Sequence, residues 1–494
     1  MEEERGTDSD PKSAFTDKDA LIQTLMKQVR EQAEHIARLE AVIEELKRRL
    51  GQNSQNSSQP PSSNVFVKPK SQRKKSGRAR GGQKGHPGRT LKMIDTPDKV
   101  VVHAVEACRS CGASLEDVRA SKYERRQVFD IPPVKVEVTE HRGEKKSCPK
   151  CGHANTAAFP KETTAGAIYG SRLRAIAVYL SRYQLLPYER TTELMSDLFG
   201  ASLSPATVLR ANTLMYENLH EAEVIIEETA CAQEVAGFDE TGVRIGGKLA
   251  WLHVVSTPKL THYSVSRRRG KEAMDRAGVL PKFSGVAVHD HWKPYFSFSC
   301  PHALCNAHHL RELTAVEETT GHRWPKKMRS LLIEIKAATE EAKQHSHCLD
   351  PEQISLFERR YDRIVTEGLR VCKPPAPVST KRKRGRKKQT KEKNLLDRLV
   401  NFKQETLAFM YDFSVPFDNN GAERDIRMVK VQQKISGSFR SDDGARSFCR
   451  TRGYLSTAKK NAFSAIDAIE TALQNRPLLP AVSSQHRLPS TGPG

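Results

Sequence analysis

The sequence predicts a multidomain α+β protein in which a mixed α/β core with a helical insertion follows a series of small, differently built modules. Three observations carry this prediction. A chain of 494 residues is long enough for about three domains of ordinary size. Its N-terminal part changes character in successive short blocks, from a heptad-patterned helix to a polar linker, a basic arm and paired Cys-x-x-Cys motifs. Beyond residue 230, alternating β-type runs give way to long amphipathic helical patterns.

Charge narrows the class of partner. The formal net charge is +22, with a pI near 9.6, an excess that attracts polyanions and makes DNA the first partner to expect. No run of about 18 apolar residues occurs, and the N-terminus (MEEERGTDSD) is acidic and polar. Neither a membrane span nor a secretory signal is therefore expected. The expected location is the cytoplasm, associated with the nucleoid. Four of the ten cysteines form two Cys-x-x-Cys pairs, and in a reducing compartment thiolate metal ligation is favoured over disulfides.

Residues 1–50 read as an N-terminal coiled coil, because from Ile22 to Leu50 the apolar positions step alternately by three and four. Gln32 is the one polar residue in that seam and would fix its register. A helix packed on its own core would show the same seam, but densely charged remaining faces favour self-association into a homodimer or higher oligomer. Residues 51–95 are a polar linker followed by a basic arm, in which Arg78, Arg80 and Lys84 could track phosphates. Residues 96–165 contain Cys108-x-x-Cys111 and Cys148-x-x-Cys151, each pair followed by glycine. Two such knuckles suit one structural Zn2+ held by four thiolates. Between them, Gln127–Glu140 alternates as strands would. Residues 166–230 read as three helices, over 171–186, from 188 to Gly200, and from Ser204-Pro205 onward, a helix-turn-helix-like DNA-binding region that offers Arg210 and Asn212.

Residues 231–300 open the core. An apolar run ends in Phe238-Asp239, and a hairpin turns at Gly246-Gly247. A third strand, a helix and a fourth strand ending at His289-Asp290 follow. This succession is the opening of a ribonuclease-H-like fold, in which the first and fourth strands are neighbours, so Asp239 and Asp290 are expected side by side. Adjacent carboxylates repel unless a divalent cation separates them, and hard oxygen ligands suit Mg2+ or Mn2+. The best third acid is Glu423, in the end of the core at 411–475, at the head of a helix that Asn419 or Asn420 can cap. Arg427, Lys430 and Lys434 follow Glu423 along one face, where they could bind flanking phosphates.

The interval between Asp290 and Glu423 implies an insertion, residues 301–410, with helices near 303–318, 325–345 and 351–371. Its basic loop, 379–393, carries Arg384 and Arg386, which could enter a minor groove or simply be a solvated loop. Cys300, His302, Cys305, His308 and His309 offer metal-ligand chemistry, but Asn306–Leu313 reads as a helix, so His308 and Arg311 are expected to face the acids or a phosphate instead. His289 and His291 should support the site rather than ligate, and Glu240, pointing to the opposite face from Asp239, should tolerate loss better. Residues 476–494 form a C-terminal tail.

Several long motifs occur in an order that resembles the DDE transposases of insertion-sequence family sixty-six. They are the heptad helix, NSSQPPSSN and GRARGGQKGHPGR, the two cysteine knuckles, FDETG, VHDHWKPY, HALCNAHHLREL, DNNGAERDIRMVKVQQKISGSFRS and GYLSTAKKN. The resemblance spans nearly the whole chain. It implies that Asp239, Asp290 and Glu423 are the catalytic triad and hold two divalent ions. It also implies that the enzyme cleaves the ends of a mobile element and joins the freed 3′-hydroxyl to target DNA, with small accessory proteins of the same element as possible partners. A noncatalytic zinc-containing DNA-binding regulator and a metal-dependent nuclease or resolvase are the alternatives that the same residues leave open.

Overall fold

The computed structural model describes residues 11–50, 91–160, 163, 165–372 and 389–479. Arg78, Arg80 and Lys84 of the basic arm, Arg384 and Arg386 of the basic loop, and the linker at 51–64 lie outside the described residues. The chain divides into two compact units. One comprises Met1–Pro69, Tyr169–Tyr188 and Ala206–Gly494, the other Lys70–Ile168 and Glu189–Pro205. No described helix is long and apolar enough to cross a membrane.

Helix α1 (Pro11–Leu50) is continuous, and the seam residues Leu25, Ile36, Leu39 and Leu46 are about half exposed on the single chain. In the smaller unit, β1 (Lys145–Ser147) pairs antiparallel with β2 (Ala154–Thr156) around the second cysteine pair. The strands expected over Gln127–Glu140 do not form. Val128, Ile131 and Val138 there are exposed, and alternation alone supplies neither a partner strand nor a surface to bury against.

The helices expected after residue 170 are present. Helix α2 (Ser171–Val178) continues as a π-helical turn through Tyr183, and α3 (Tyr188–Phe199), α4 (Pro205–Asn218) and α5 (His220–Cys231) follow. Most of α3 belongs to the smaller unit and the other three to the larger. Arg210 on α4 is exposed, as a DNA contact requires. Asn212 is not available for that role: it is buried and donates to Ser181 Oγ at 3.1 Å.

The larger unit is built on a five-stranded mixed sheet. β3 (Val235–Ile245), β4 (Lys248–Ser256) and β5 (Thr261–Ser266) form an antiparallel meander, turned between β3 and β4 by Gly246 and Gly247 at φ of 56° and 75°. After α6 (Lys271–Arg276), β6 (Val286–His289) returns parallel to β3, and β7 (His302–Leu304) adds parallel to β6. The spatial order is β5-β4-β3-β6-β7. The first and fourth strands of the meander-and-return are thus direct neighbours.

Both faces of this sheet are covered. On one, Ala236, Phe238 and Ala287 pack with Met274, Leu280 and Phe283. On the other, Val243, Ile245 and Leu252 meet Ala422, Ile426 and Val429 of α12 (Asn420–Ser436), the apolar stripe legible in the sequence. Each valine, leucine, isoleucine, methionine or phenylalanine among them contributes roughly 1.5–3 kcal/mol before chain entropy is counted. The insertion supplies α7 (Asn306–Thr320), α8 (Trp324–Ala342), α9 (Pro351–Val371), α10 (Lys391–Asn401) and α11 (Lys403–Tyr411). Its core, with Leu313, Trp324 and Tyr361 at the centre, closes on Val288 and Ala303 of β6 and β7. After α12, α13 (Asp442–Lys460) and α14 (Ala465–Leu473) share a further core with α2, α4 and α5.

Candidate active site and metal-ligand clusters

The strand register brings two of the three acids together. Gly237 of β3 pairs with Val288 of β6, so Asp239 and Asp290 each stand two residues past the last paired position of adjacent parallel strands. Asp239 lies within β3 and Asp290 one residue past the end of β6, near enough for the Asp290 charge to act on the Asp239 carboxyl. Asp239 Oδ1 accepts the Glu240 N–H at 2.9 Å, and Asp290 Oδ1 accepts the Trp292 N–H at 2.9 Å.

The third acid enters on α12. Asn419 occupies the N-cap position, but its side chain makes no capping bond. It donates instead from Nδ2 to Phe238 O at 2.8 Å, while its backbone N–H donates to Cys305 Sγ at 3.2 Å. One residue therefore joins the head of α12 to β3 beside Asp239 and to the head of α7. The approach is possible because residue 237 is glycine: a Cβ there would lie 2.2 Å from Asn419 Oδ1. Further along α12, the buried Asp425 accepts from Ser256 Oγ at 2.8 Å, Thr261 Oγ1 at 3.0 Å and Lys460 Nζ at 2.7 Å. These bonds set the rotation of the helix that presents Glu423.

The electrostatics match a cluster of acids short of positive charge. Burial, then the neighbouring Glu240, Asp290 and Glu423, push the Asp239 carboxyl well above the ordinary range. Asp290 and Glu423 are raised too, in both cases mainly by burial. Arg311 Nη2 lies 3.4 Å from Glu423 Oε1 and offsets part of that rise. Arg427, Lys430 and Lys434 are exposed residues of α12, and Lys430 Nζ reaches back to donate to Gly242 O at 2.5 Å.

Glu240, next to Asp239, has buried partners of its own. Its side chain is only 2% exposed, accepting from Tyr295 Oη at 2.5 Å and from Arg269 at 2.6 and 3.2 Å. The Arg269 guanidinium is itself held between the Trp251 and Trp292 rings, 4.4 and 3.9 Å from their centroids. On the face opposite Asp239, Glu240 is thus one member of a buried clamp with Tyr295 and Arg269. Nothing in the local sequence signals it, since the partners lie far along the chain.

The histidines and cysteines sort into separate roles. His289 is buried, stacked on Tyr295, with Nε2 3.1 Å from His302 Nδ1. Its pKa falls to about 3, chiefly by burial. His291 packs edge-on against Phe402. His309 bonds Asn306 at 3.0 Å, and the Asn306 amide anchors to Thr406 O at 2.9 Å. Cys300 is buried in the sheet core. Cys305 and His308 turn toward Glu423, with His308 Nδ1 at 3.7 Å and Cys305 Sγ at 3.9 Å from its Oε1.

In the smaller unit the two cysteine knuckles form the same turn. Gly112 N–H donates to Cys108 O at 2.9 Å and Gly152 N–H to Cys148 O at 2.8 Å, with both glycines at positive φ, 76° and 71°. Backbone N–H groups directed at the sulfurs lower the Cys108 and Cys148 pKa values, the state a thiolate ligand needs. The turns and their amides fit zinc. Among the described residues, however, the group of three or more possible ligand side chains whose atoms lie within 4.8 Å of one another is Cys305, His308 and Glu423. The four knuckle sulfurs are not gathered to that spacing, and neither are the three acids.

Residues 166–447 match the model of the Transposase IS66 family, which is more than half of the chain. Residues 106–152 match the zinc-finger binding domain of transposase IS66, and residues 8–92 match a family of unknown function. No curated protein matches the sequence. Among solved structures, a chain in the cryoEM structure of the simian T-cell lymphotropic virus intasome in complex with PP2A regulatory subunit B56 gamma is 11% identical. It covers 43% of this chain and 80% of its own, with a TM-score of 0.13, too low to bear on the fold.

Proposed function

The chain belongs to the IS66 family of transposases, and from that premise we propose that Asp239, Asp290 and Glu423 are the catalytic acids of a DNA-cleaving and DNA-joining site on a ribonuclease-H-like core. The observation that carries this reading is the register of β3 and β6, which stands Asp239 and Asp290 on adjacent strands, with the Asn419 bond bringing the head of α12 to the same strand end.

The roles of the side chains follow from their positions. The three carboxylates would hold two Mg2+ or Mn2+ ions, which when bound supply activation of the attacking water or 3′-hydroxyl and neutralise the leaving oxygen. Arg427, Lys430 and Lys434, exposed along α12 beyond Glu423, would bind phosphates flanking the scissile one. Arg311 and His308, at Glu423, would orient that acid. Arg269, fixed by its two tryptophans and Glu240, would keep the strand end rigid.

The remaining modules would bring the DNA ends to that site. The zinc-binding module with Cys108, Cys111, Cys148 and Cys151 and the helical region carrying Arg210 would recognise the ends, with phosphate contacts from Arg78, Arg80, Lys84, Arg384 and Arg386. The half-exposed seam of α1 would pair two protomers so that both ends are held together.

Labelled element-end DNA with Mg2+ tests the reading. Joined products are expected from the wild-type protein and none from Asp239→Asn. Cleavage without joining would make the protein a nuclease, binding without chemistry a regulator, and strand transfer by Asp239→Asn would remove the triad assignment.

A further inference from the structure

Where the N-terminus of α7 meets that of α12, three side chains of different chemistry converge. The ligand atoms of Cys305, His308 and Glu423 all lie within 4.8 Å of one another. His308 Nδ1 is 3.7 Å and Cys305 Sγ 3.9 Å from Glu423 Oε1. Bonds of about 2.0–2.3 Å in a tetrahedral site put donor atoms roughly 3.3–3.7 Å apart, so the two contacts to Glu423 are already within a few tenths of an ångström of that spacing.

Two further observations mark it as more than a chance contact. His308 Nδ1 is buried and makes no hydrogen bond. A buried nitrogen left unpaired is unfavourable, and a bound ligand would relieve it. The Asn419 N–H is aimed at Cys305 Sγ from 3.2 Å, a donor that a metal-bound thiolate accepts better than a neutral thiol does. Arg311 Nη2, 3.4 Å from Glu423 Oε1, is the cation now paired with this carboxylate, and a dication would replace it in that role.

We propose that Cys305, His308 and Glu423 form a site for a borderline-soft divalent cation of the zinc class, distinct from the cysteine knuckles. A thiol, an imidazole and one carboxylate oxygen select zinc over magnesium, whose preferred ligands are all oxygen. On binding, a sulfur lone pair forms the metal bond, the S–H bond breaks, and its proton leaves to solvent. An ion held here also engages Glu423. Withdrawal of that acid from a magnesium site is the one consequence that rests on the transposase reading.

The test is a metal count on the full-length chain, stripped and then titrated with Zn2+, and with Co2+ to read thiolate coordination from its absorption bands. Wild-type protein should bind one equivalent more than Cys305→Ser and one more than His308→Ala. Equal counts in wild type and in either variant overturn the proposal. Should both variants misfold by circular dichroism, Arg311→Gln decides: removing the competing cation should tighten the additional site by about tenfold, and an unchanged affinity overturns it. The count uses no DNA, so a chain that binds the additional ion but, stripped of it and assayed with Mg2+ alone, cleaves nothing refutes the transposase reading alone. One that joins DNA without the additional ion refutes this site alone.

Discussion

Asn419 Nδ2 donates to the carbonyl oxygen of Phe238 at 2.8 Å, which ties the head of the helix carrying Glu423 to the residue preceding Asp239. A residue positioned to cap its own helix spends its side chain on a neighbouring strand. The relative placement of two acids far apart in sequence therefore depends on one amide and on the absence of a side chain at Gly237.

Gly237→Ala tests that dependence. The added Cβ would sit 2.2 Å from Asn419 Oδ1 and 3.4 Å from Ala422 Cβ. Overpacking of this kind should cost about 1–3 kcal/mol in thermal or denaturant unfolding. Strand cleavage should fall further, by roughly a hundredfold, because the displacement falls on the element that carries Glu423. Asn419→Ala in the same chain removes the clashing group, so the double variant should be less destabilised than the two single losses summed. Simple additivity would show that Gly237 and Asn419 do not share the strain.

The acid cluster makes stability depend on pH in a defined direction. Burial and the nearby Glu240, Asp290 and Glu423 charges raise the Asp239 carboxyl well above its ordinary range. Its unfolded value is about 3.9, so its contribution to stability is complete below about pH 4 and is lost as pH rises through the folded value. In the presence of a chelator, the wild-type melting temperature should drop from pH 4 toward neutrality more steeply than that of Asp239→Asn, and the variant should be the more stable at pH 7. Saturating Mg2+ should invert that order, stabilising the wild type by about 2.7 kcal/mol at a hundredfold excess over Kd. Parallel melting curves for the two proteins in chelator would mean that Asp239 carries no such repulsion.

What was legible in the sequence had a local signature. Phe238-Asp239 and His289-Asp290 each end a short β-type run, and Glu423 heads an amphipathic helix whose stripe, Ala422, Ile426 and Val429, packs as its spacing predicts. The strand order followed from the meander, the helix and the return strand. The features that escaped are pairings across the fold. Glu240 with Tyr295 and Arg269, Asp425 with Lys460, and Cys305 with Glu423 join residues whose spacing follows no secondary-structure period. Over Gln127–Glu140 the limitation is the reverse. Its alternation fits a strand, but pairing needs a neighbour that the pattern itself cannot supply.

The Glu240 clamp should prove costly to break. Glu240→Ala leaves the buried Tyr295 hydroxyl without its acceptor and Arg269 without its counter-charge, a loss of about 2–3 kcal/mol. Tyr295→Phe should cost less, about 1 kcal/mol, because Arg269 keeps its partner. A double-mutant cycle between Glu240→Gln and Tyr295→Phe, read by chemical denaturation, should return a coupling of at least about 0.5 kcal/mol. A Glu240→Ala protein as stable as the wild type would mean that the clamp contributes nothing to folding.

Helix α1 offers the test of assembly. Leu25, Ile36, Leu39 and Leu46 repeat along one seam and are about half exposed on the single chain, which is costly for isolated leucines and isoleucines but expected where a second helix covers them. Burying each against a partner is worth roughly 1.5–3 kcal/mol. On the proposal that this seam pairs two protomers, Leu25→Lys together with Leu39→Lys should shift sedimentation velocity from dimer or larger to monomer, while the melting of the five-stranded sheet and its helices stays unchanged. Joining of two DNA ends should fall with it, whereas cleavage of a single end should persist. Gln32→Leu completes the seam and should act in the opposite sense, raising the stability of association while relaxing the register that a lone polar residue enforces. A chain that remains equally associated with both lysines in place would move the self-association surface off α1.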